Sequence, residues 1–232
     1  LLLLEPPDGY GANTAVGHRS GDAATTASGS VFMGFHSGGT VTTGNRNIAI
    51  GYYAMNGAAT TGDNNIAIGA NAGDALTSGL KNVLIGGDAG GAIADGAINT
   101  AIGHEAGKAI TSGQGNTVLG FNAGLALQTG HNNVFLGREA GKGVTGTVQN
   151  IIAIGHGTAT GVLTTDANAS IFIGGSAGAA MTSGIGNVAI GYQALNTAAT
   201  SDYNTAIGEN ALYSVNSDGD GLNTAIGRAV GY

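Results

Sequence analysis

The hydrophobic pattern of the chain is a short apolar segment that ends in glycine and recurs from one end to the other. A typical copy is Asn65-Ile66-Ala67-Ile68-Gly69. The terminal glycine recurs thirteen times, at steps of 17 to 19 residues, as Gly17, Gly34, Gly51, Gly69, Gly86, Gly103, Gly120, Gly137, Gly155, Gly174, Gly191, Gly208 and Gly227. A repeat with this period predicts a solenoid in which each copy contributes one coil.

The three residues before each glycine predict a strand that is apolar on both faces. In the typical copy, Ile66 and Ile68 lie two positions apart and therefore share one face of the strand. The residue between them is alanine in eight copies and Phe, Leu or Val in the other five. We assign the aliphatic pair to the core of the chain's own coil. The alanine face then needs a second layer, which we expect another copy of the chain to supply.

The rest of each repeat predicts a second strand between two turns. Seven residues after the glycine is an apolar column made of Val41, Leu76, Ile93, Ile110, Leu127, Val144, Met181 and Val215. A second turn follows at pairs such as Thr61-Gly62 and Ser78-Gly79, where glycine supplies backbone angles that other residues reach only at a cost. The predicted fold is therefore all-β, a parallel β-roll or β-helix solenoid of 13 coils. Residues 1–12 form an N-terminal segment, and residues 13–232 form one solenoid domain that we expect to continue beyond both ends in a longer protein.

Asparagine precedes the strand in ten copies, and its constant position predicts a ladder of amide side chains between coils. The columns expected to hold the coils together comprise Asn47, Asn65, Asn82, Asn99, Asn116, Asn133, Asn187 and Asn204, the aliphatic residues Ile50, Ile68, Ile85 and Ile102, and the glycines Gly51, Gly69, Gly86 and Gly103.

Composition narrows the possible partners. The chain has 45 glycines without the period of three that collagen needs, and it has no cysteine for disulfides or thiolate metal sites. The net charge of −7 disfavours nucleic acid and anionic membranes, which attract basic patches. Only 9% of residues are charged, which fits a chain that buries much of its surface against copies of itself.

The Asn-x-Ala-Ile-Gly core, present at 47–51, 65–69, 99–103, 187–191, 204–208 and 223–227, resembles that of two groups of trimeric proteins. One is the head domain of trimeric autotransporter adhesins, a left-handed β-roll. The other is the glycine-rich repeat region of phage tail fibres, and the longer repeat of this chain favours that group. The resemblance implies a homotrimer on a virion or bacterial cell surface, extracellular, and used for host attachment.

The aromatic residues that follow the strand glycines, and those in the coils with extra residues, are the candidates for receptor contact. We single out Tyr52, Tyr53, Tyr192 and Tyr213, and we expect a cell-surface receptor or glycan as the ligand, although packing of rings between coils is the alternative role. A threonine column that includes Thr42 and Thr77 leaves ice binding as a further alternative.

No arrangement of residues predicts catalysis, a cofactor or a metal site. The five histidines show no metal-binding spacing, Asp218-Gly219-Asp220-Gly221 lacks most of the ligands of a calcium loop, and Glu105 and Glu139 lack a cleft. The sequence therefore predicts a non-enzymatic attachment fibre segment that acts as a rigid spacer. The alternative is a self-assembling structural filament or sheath subunit without specific receptor binding.

Overall fold

The computed structural model of the chain describes residues 11–164, 168–215 and 221–231, and the main chain of residues 2–4. The described chain forms two compact units, Leu1–Gly115 and Asn116–Tyr232, each considered by itself below. Pro6, Pro7 and the acidic residues of the Asp218-Gly219-Asp220-Gly221 segment lie outside the described residues. Each unit is a parallel β-solenoid, and no helix occurs among the described residues, which confirms the all-β solenoid prediction.

Seven short strands occur among the described residues of the first unit. They are β1 (Leu2–Leu4), β2 (Asn13–Val16), β3 (Val31–Met33), β4 (Ile48–Ile50), β5 (Ile66–Ile68), β6 (Val83–Ile85) and β7 (Thr100–Ile102). Strand β1 pairs antiparallel with β2, and β2 to β7 follow one another in parallel. Equivalent repeat positions are paired, as in Ile66 with Val83.

The second unit also contains seven strands, all parallel to their neighbours. They are β8 (Thr117–Leu119), β9 (Val134–Leu136), β10 (Ile152–Ile154), β11 (Ile171–Ile173), β12 (Val188–Ile190), β13 (Thr205–Ile207) and β14 (Thr224–Ile226). The register is preserved across the long repeats, because Ile152 still pairs with Ile171 although the step between their glycines is 19 residues.

The prediction of a second strand in each coil is wrong. The side chains seven residues after the glycine are fully buried in seven of the eight cases, as Leu76 is, but they lie outside the strands, directly after a turn. Among the described residues, only isolated bridges occur outside the strands, at Val41–Thr60 and His131–Gln149. Left-handed residues such as Asn71 (φ 54°) bend this part of the coil, so it never becomes extended. Coil-to-coil main-chain bonds persist without strands, as from the Thr77 amide to the Ala94 carbonyl (2.9 Å).

The assignment of the two strand faces is also wrong, because the alanine face points inward. Ala49, Ala67, Ala101 and Ala189 have no exposed surface within the single chain. The predicted core residues Ile50, Ile68, Ile85 and Ile102 instead lie on the outer face and are only half-buried.

The narrow interior of the coil explains this inversion. Large side chains occupy the inward position only where glycine faces them: a Cβ atom added to Gly141 would lie 2.8 Å from the ring of Phe135. Opposite most strands the column three residues after the glycine is alanine, as at Ala72, which is fully buried. The coil is too thin for both isoleucines of the strand to point inward, because its interior is already filled by the one inward strand residue and by residues such as Leu76.

The glycine at the end of each strand is required by both backbone angle and close packing. Gly69 has φ 135°, and a Cβ atom there would lie 2.5 Å from the carbonyl oxygen of Gly86 in the next coil. No other residue tolerates this combination, so this column fixes the corner of every coil.

Candidate functional site

The asparagine column forms a buried ladder that joins consecutive coils. The Asn82 side chain donates to the Gly96 carbonyl (2.8 Å) and to Asn65 Oδ1 (3.1 Å). Its own Oδ1 accepts from the main-chain amide (2.9 Å) and the side chain (3.2 Å) of Asn99. Each asparagine therefore closes the turn of its own coil and also binds the coils on either side, which makes the stack rigid.

The ladder of the second unit has the same geometry but is interrupted. Asn133 binds Asn116 Oδ1 through its amide (3.1 Å) and its side chain (3.0 Å), and Asn204 binds Asn187 in the same way. Ile151 and Ser170 occupy the column between these two pairs.

The outer faces of the strands form an apolar surface that runs from coil to coil within each unit. We call this surface the outer strip; it consists of the first and last positions of the three-residue strands and their equivalents in β2, Thr14 and Val16. Of these 26 positions in β2 to β14, 21 are aliphatic and five are threonine, so the strip carries no charge. Most of its residues are half-buried by their neighbours above and below, while Met33 is 43% exposed.

Five aromatic rings cluster on the first unit, just beyond the outer strip. His18, Phe35 and Tyr52 stack nearly parallel, with centroid distances of 5.4 and 5.5 Å and interplanar angles of 12° and 11°. His36 and Tyr53 form a second stack beside them (5.2 Å, 9°). The two stacks touch edge to face, as Tyr52 and Tyr53 do at 4.5 Å and 71°. We call these five residues the aromatic cluster.

The repeat pattern indicated Tyr52 and Tyr53 as candidates for receptor contact, but not the other three members of the cluster. Phe35 and His18 precede Tyr52 at intervals of 17 residues, and His36 precedes Tyr53 at the same interval. Because equivalent positions stack in a solenoid, this spacing was a signal that could have revealed the cluster.

The two other candidate tyrosines, Tyr192 and Tyr213, lie in the second unit. Tyr192 is 57% exposed, and its ring lies over Gly175, where a Cβ atom would be 3.3 Å from Cδ2. Tyr213 is half-buried, and its carbonyl accepts a hydrogen bond from Thr197 (2.7 Å).

A row of charged and amide side chains continues from the aromatic cluster. Asn71 donates to Asp88 (3.2 Å), and Lys108 binds Glu105 (2.7 Å) and lies 3.7 Å from Asp88. The hydrogen bond to Glu105, aided by the charge of Asp88, raises the pKa of Lys108. Burial, together with the nearby Asp88 charge, raises the pKa of Asp74. The row therefore offers donors and acceptors on an acidic background.

The threonine column does not present free hydroxyl groups. Thr42 donates to the Thr60 carbonyl (3.3 Å), Thr77 to the Ala94 carbonyl (2.9 Å) and Thr182 to the Ala199 carbonyl (2.8 Å). These hydroxyls join coils, so the arrangement does not favour the ice-binding alternative.

Other candidate chemistry is not assembled. Among the described residues, no group of three or more His, Cys, Asp or Glu side chains is placed to hold a metal ion. Glu105 and Glu139 each pair with the lysine three residues later, Lys108 at 2.7 Å and Lys142 at 3.5 Å. Nor does the described part of the chain contain a helix with the length and hydrophobicity to span a membrane.

The chain matches no family model, and neither the curated proteins nor the solved structures searched include a match. The outer strip and the aromatic cluster are the two surfaces of the described chain that are suited to binding a partner.

Proposed function

We propose that the chain is a structural segment of an extracellular attachment fibre, displayed on a virion or a bacterial cell surface, that assembles as a homotrimer. The observation that carries this proposal is the outer strip, an uncharged surface on which 21 of 26 positions are aliphatic. The proposed role is mechanical and adhesive and involves no chemical step.

The outer strip is costly to leave in water. Six strands about 4.8 Å apart and about 10 Å wide give roughly 300 Å² of apolar surface in the first unit. A continuous patch of this size is comparable with the largest found on typical soluble monomers, and such patches often mark an interaction site. Covering it would gain about 25 cal/mol for each Å² of apolar surface removed from water.

A second copy of the chain is the occupant that fits the strip best. Its own strip has the same coil spacing, the same sequence of aliphatic side chains and no charge to bury. Since typical stable interfaces bury about 800 Å² on each partner, the residues flanking the strip must also take part. Three strips that face a common axis would cover one another and their flanking residues in a closed, symmetric assembly. Three is also the number of subunits that the resemblance to trimeric fibres implies.

The asparagine ladder supports the spacer role. Asn65 and Asn82, for example, are fully buried and bonded to the coils on both sides, so bending the stack there would break buried hydrogen bonds. Attachment would then use exposed rings such as Tyr52 at the rim of the assembly.

A filament or sheath subunit is the second candidate. Equivalent positions pair between neighbouring coils within each unit, so the same main-chain bonding could continue between copies placed end to end. Such an assembly would be open and would grow with concentration, whereas the proposed trimer is closed.

Mass measurement by light scattering after size exclusion tests the proposal. We expect the chain, of mass 22.4 kDa, to run at three times that mass, independent of concentration. The double variant Ile68→Lys/Ile85→Lys places charges on the strip and should run as a monomer. The control Thr43→Lys/Ser78→Lys adds the same charges at exposed turn positions and should remain trimeric.

Two results would contradict the proposal. A wild-type chain that stays monomeric at tens of micromolar would remove the need for a covered strip. A mass that rises without limit as concentration increases would favour the filament.

A further inference from the structure

The aromatic cluster ends abruptly, and this end forms a step on the surface. The residues directly after the strand glycines stack from coil to coil as His18, Phe35, Tyr52, Ala70 and Gly87. Three rings are thus followed by a methyl group and then by no side chain at all. Ala70 is exposed, and Tyr52 is 56% exposed.

The stacking determines which ring face is available. The two faces of Phe35 are covered by His18 and Tyr52, at 5.4 and 5.5 Å. Tyr52 is covered by Phe35 on one face only, because the next coil offers Ala70. The free face of Tyr52 is therefore the wall of the step, and Ala70 is its floor.

The step has the width of one small ring. The His104 ring lies beside Gly87, since a Cβ atom on Gly87 would be 3.4 Å from His104 Cδ2. The coil of Gly87 is two coil spacings, roughly 10 Å, from the coil of Tyr52. This leaves a gap over Ala70 that is open to solvent and wide enough for one non-aromatic six-membered ring.

Polar groups border the step on one side. Asn71 follows Ala70 and donates to Asp88, and Asp88 lies 3.7 Å from Lys108. Amide, carboxylate and ammonium groups are thus available to bind hydroxyl groups next to an aromatic wall.

We propose that this step binds a neutral β-linked hexopyranose chain, one sugar ring of which stacks on the free face of Tyr52. A β-hexopyranose has one face made of axial C–H groups and a rim of equatorial hydroxyls. The C–H face suits the negative face of the tyrosine ring, and the hydroxyls suit Asn71 and Asp88. This inference rests on the proposed attachment function and names the class of receptor that it would recognise.

The charges around the step disfavour anionic ligands. Asp88 and Glu105 border it, and the whole chain carries a net charge of −7. A nucleic acid strand or a uronic acid polymer would bring further negative charge to this surface, without the basic groove that single-stranded nucleic acids need.

Saturation-transfer NMR on the full chain tests the proposal, with cellohexaose and chitohexaose as probes. We expect binding of at least one probe, with the strongest saturation at its axial ring protons. Tyr52→Ala removes the wall and should weaken binding at least tenfold. Tyr203→Ala removes a ring that is 51% exposed and lies outside the aromatic cluster; it is the matched control and should change binding less than twofold.

The variant Ala70→Tyr is a second test, which still decides the question if Tyr52→Ala fails to fold. It extends the ring stack by one coil, at a repeat position that accepts tyrosine in two other coils, and so covers the free face of Tyr52. We expect it to fold normally and to lose binding at least tenfold.

Several outcomes would overturn the proposal. These are no saturation of either probe at millimolar concentration, unchanged binding in Ala70→Tyr, or tighter binding of a hexathymidylate or trigalacturonate comparator. A change of oligomeric mass in Ala70→Tyr would mean that the rings contact a second copy instead. The mass of each sample is measured in parallel, so a trimer that binds no sugar would contradict this inference alone.

Discussion

Two regions of the molecule hold consecutive coils together with different side chains. The regular region, residues 65–113, has two successive steps of 17 residues and an unbroken row of Asn65, Asn82 and Asn99. The interrupted region, residues 133–187, has steps of 18, 19 and 17 residues between Gly137 and Gly191, and its column reads Asn133, Ile151, Ser170 and Asn187.

The interrupted region shows how a buried polar row can stop without leaving unpaired groups. Asn133 Oδ1 accepts from the Ile151 amide (3.0 Å), so the last asparagine is satisfied by the main chain. The Ile151 side chain is fully buried, as are Val148 and Leu163 from the longer coils. Ser170 then restarts the row, because its hydroxyl accepts from the Asn187 amide (3.1 Å). Apolar filling thus replaces amide bonding where the repeat lengthens, which fits the cost of leaving buried polar groups without partners.

The largest effect is expected in the regular region, from Asn82→Ala. This change removes four hydrogen bonds and leaves the Gly96 carbonyl and the Asn99 amide buried without partners, at a cost of about 4 kcal/mol of unfolding free energy. Hydrogen exchange at the Asn99 amide should accelerate accordingly. Asn82→Ser imitates the residue found at Ser170, keeps an acceptor for Asn99, and should cost about half as much. If the two variants lost equal amounts of unfolding free energy, the hydrogen bond to the Asn99 amide that serine retains would have no measurable value.

A somewhat smaller effect is expected in the interrupted region, from Ile151→Ala. The fully buried side chain contributes apolar filling, so its truncation should cost about 3 kcal/mol. Faster hydrogen exchange should be confined to the neighbouring coils, at amides such as those of Val134 and Ile152. If hydrogen exchange in these coils changed little, the interrupted region would be loosely packed. Apolar filling would then not be what replaces amide bonding there.

Ser170→Ala should have a more modest effect. The hydroxyl donates to the Gly184 carbonyl (3.3 Å) and accepts from the Asn187 amide (3.1 Å). It therefore makes fewer hydrogen bonds than an asparagine side chain in the ladder does. We expect a loss of about 1.5 kcal/mol, measured as the shift in the urea midpoint of the transition that reports on this region. A loss as large as that of Asn82→Ala would mean that serine and asparagine contribute equally to the ladder.

The smallest effect is expected from two opposite substitutions at equivalent repeat positions, Ile98 and Asn150, where the backbone is left-handed. Ile98 has φ 59° and is 60% exposed, which strains a β-branched residue, whereas the interrupted region has Asn150 there with the same φ. Ile98→Asn should therefore stabilise the chain by about 1 kcal/mol, and Asn150→Ile should destabilise it by a similar amount. Thermal denaturation of both variants checks the signs, and a loss of stability in Ile98→Asn would show that Ile98 has a packing or binding role.

Much of the fold can be predicted from the amino-acid sequence, because a solenoid repeats the same local structure in each coil. The spacing of glycines such as Gly69 and Gly86 located strands β2 to β14 but not β1, and the constant asparagine position predicted the amide ladder. The candidate surface was predicted only in part. Tyr52 and Tyr53 were selected one by one, whereas the stack with Phe35 and His36 depends on which coils are neighbours.

By itself, the sequence determined the repeat, the strand positions, the register and the columns that face each other. These features depend on local backbone angles and on equivalent positions meeting in adjacent coils. Only the tertiary structure decided which strand face is inside and that each coil has one strand. The pattern could not decide this because both faces of the strand are apolar, and the choice depends on the width of the coil. Ala67 and Ala72 are fully buried inside the coil, whereas Ile66 and Ile68 lie outside and are only half-buried.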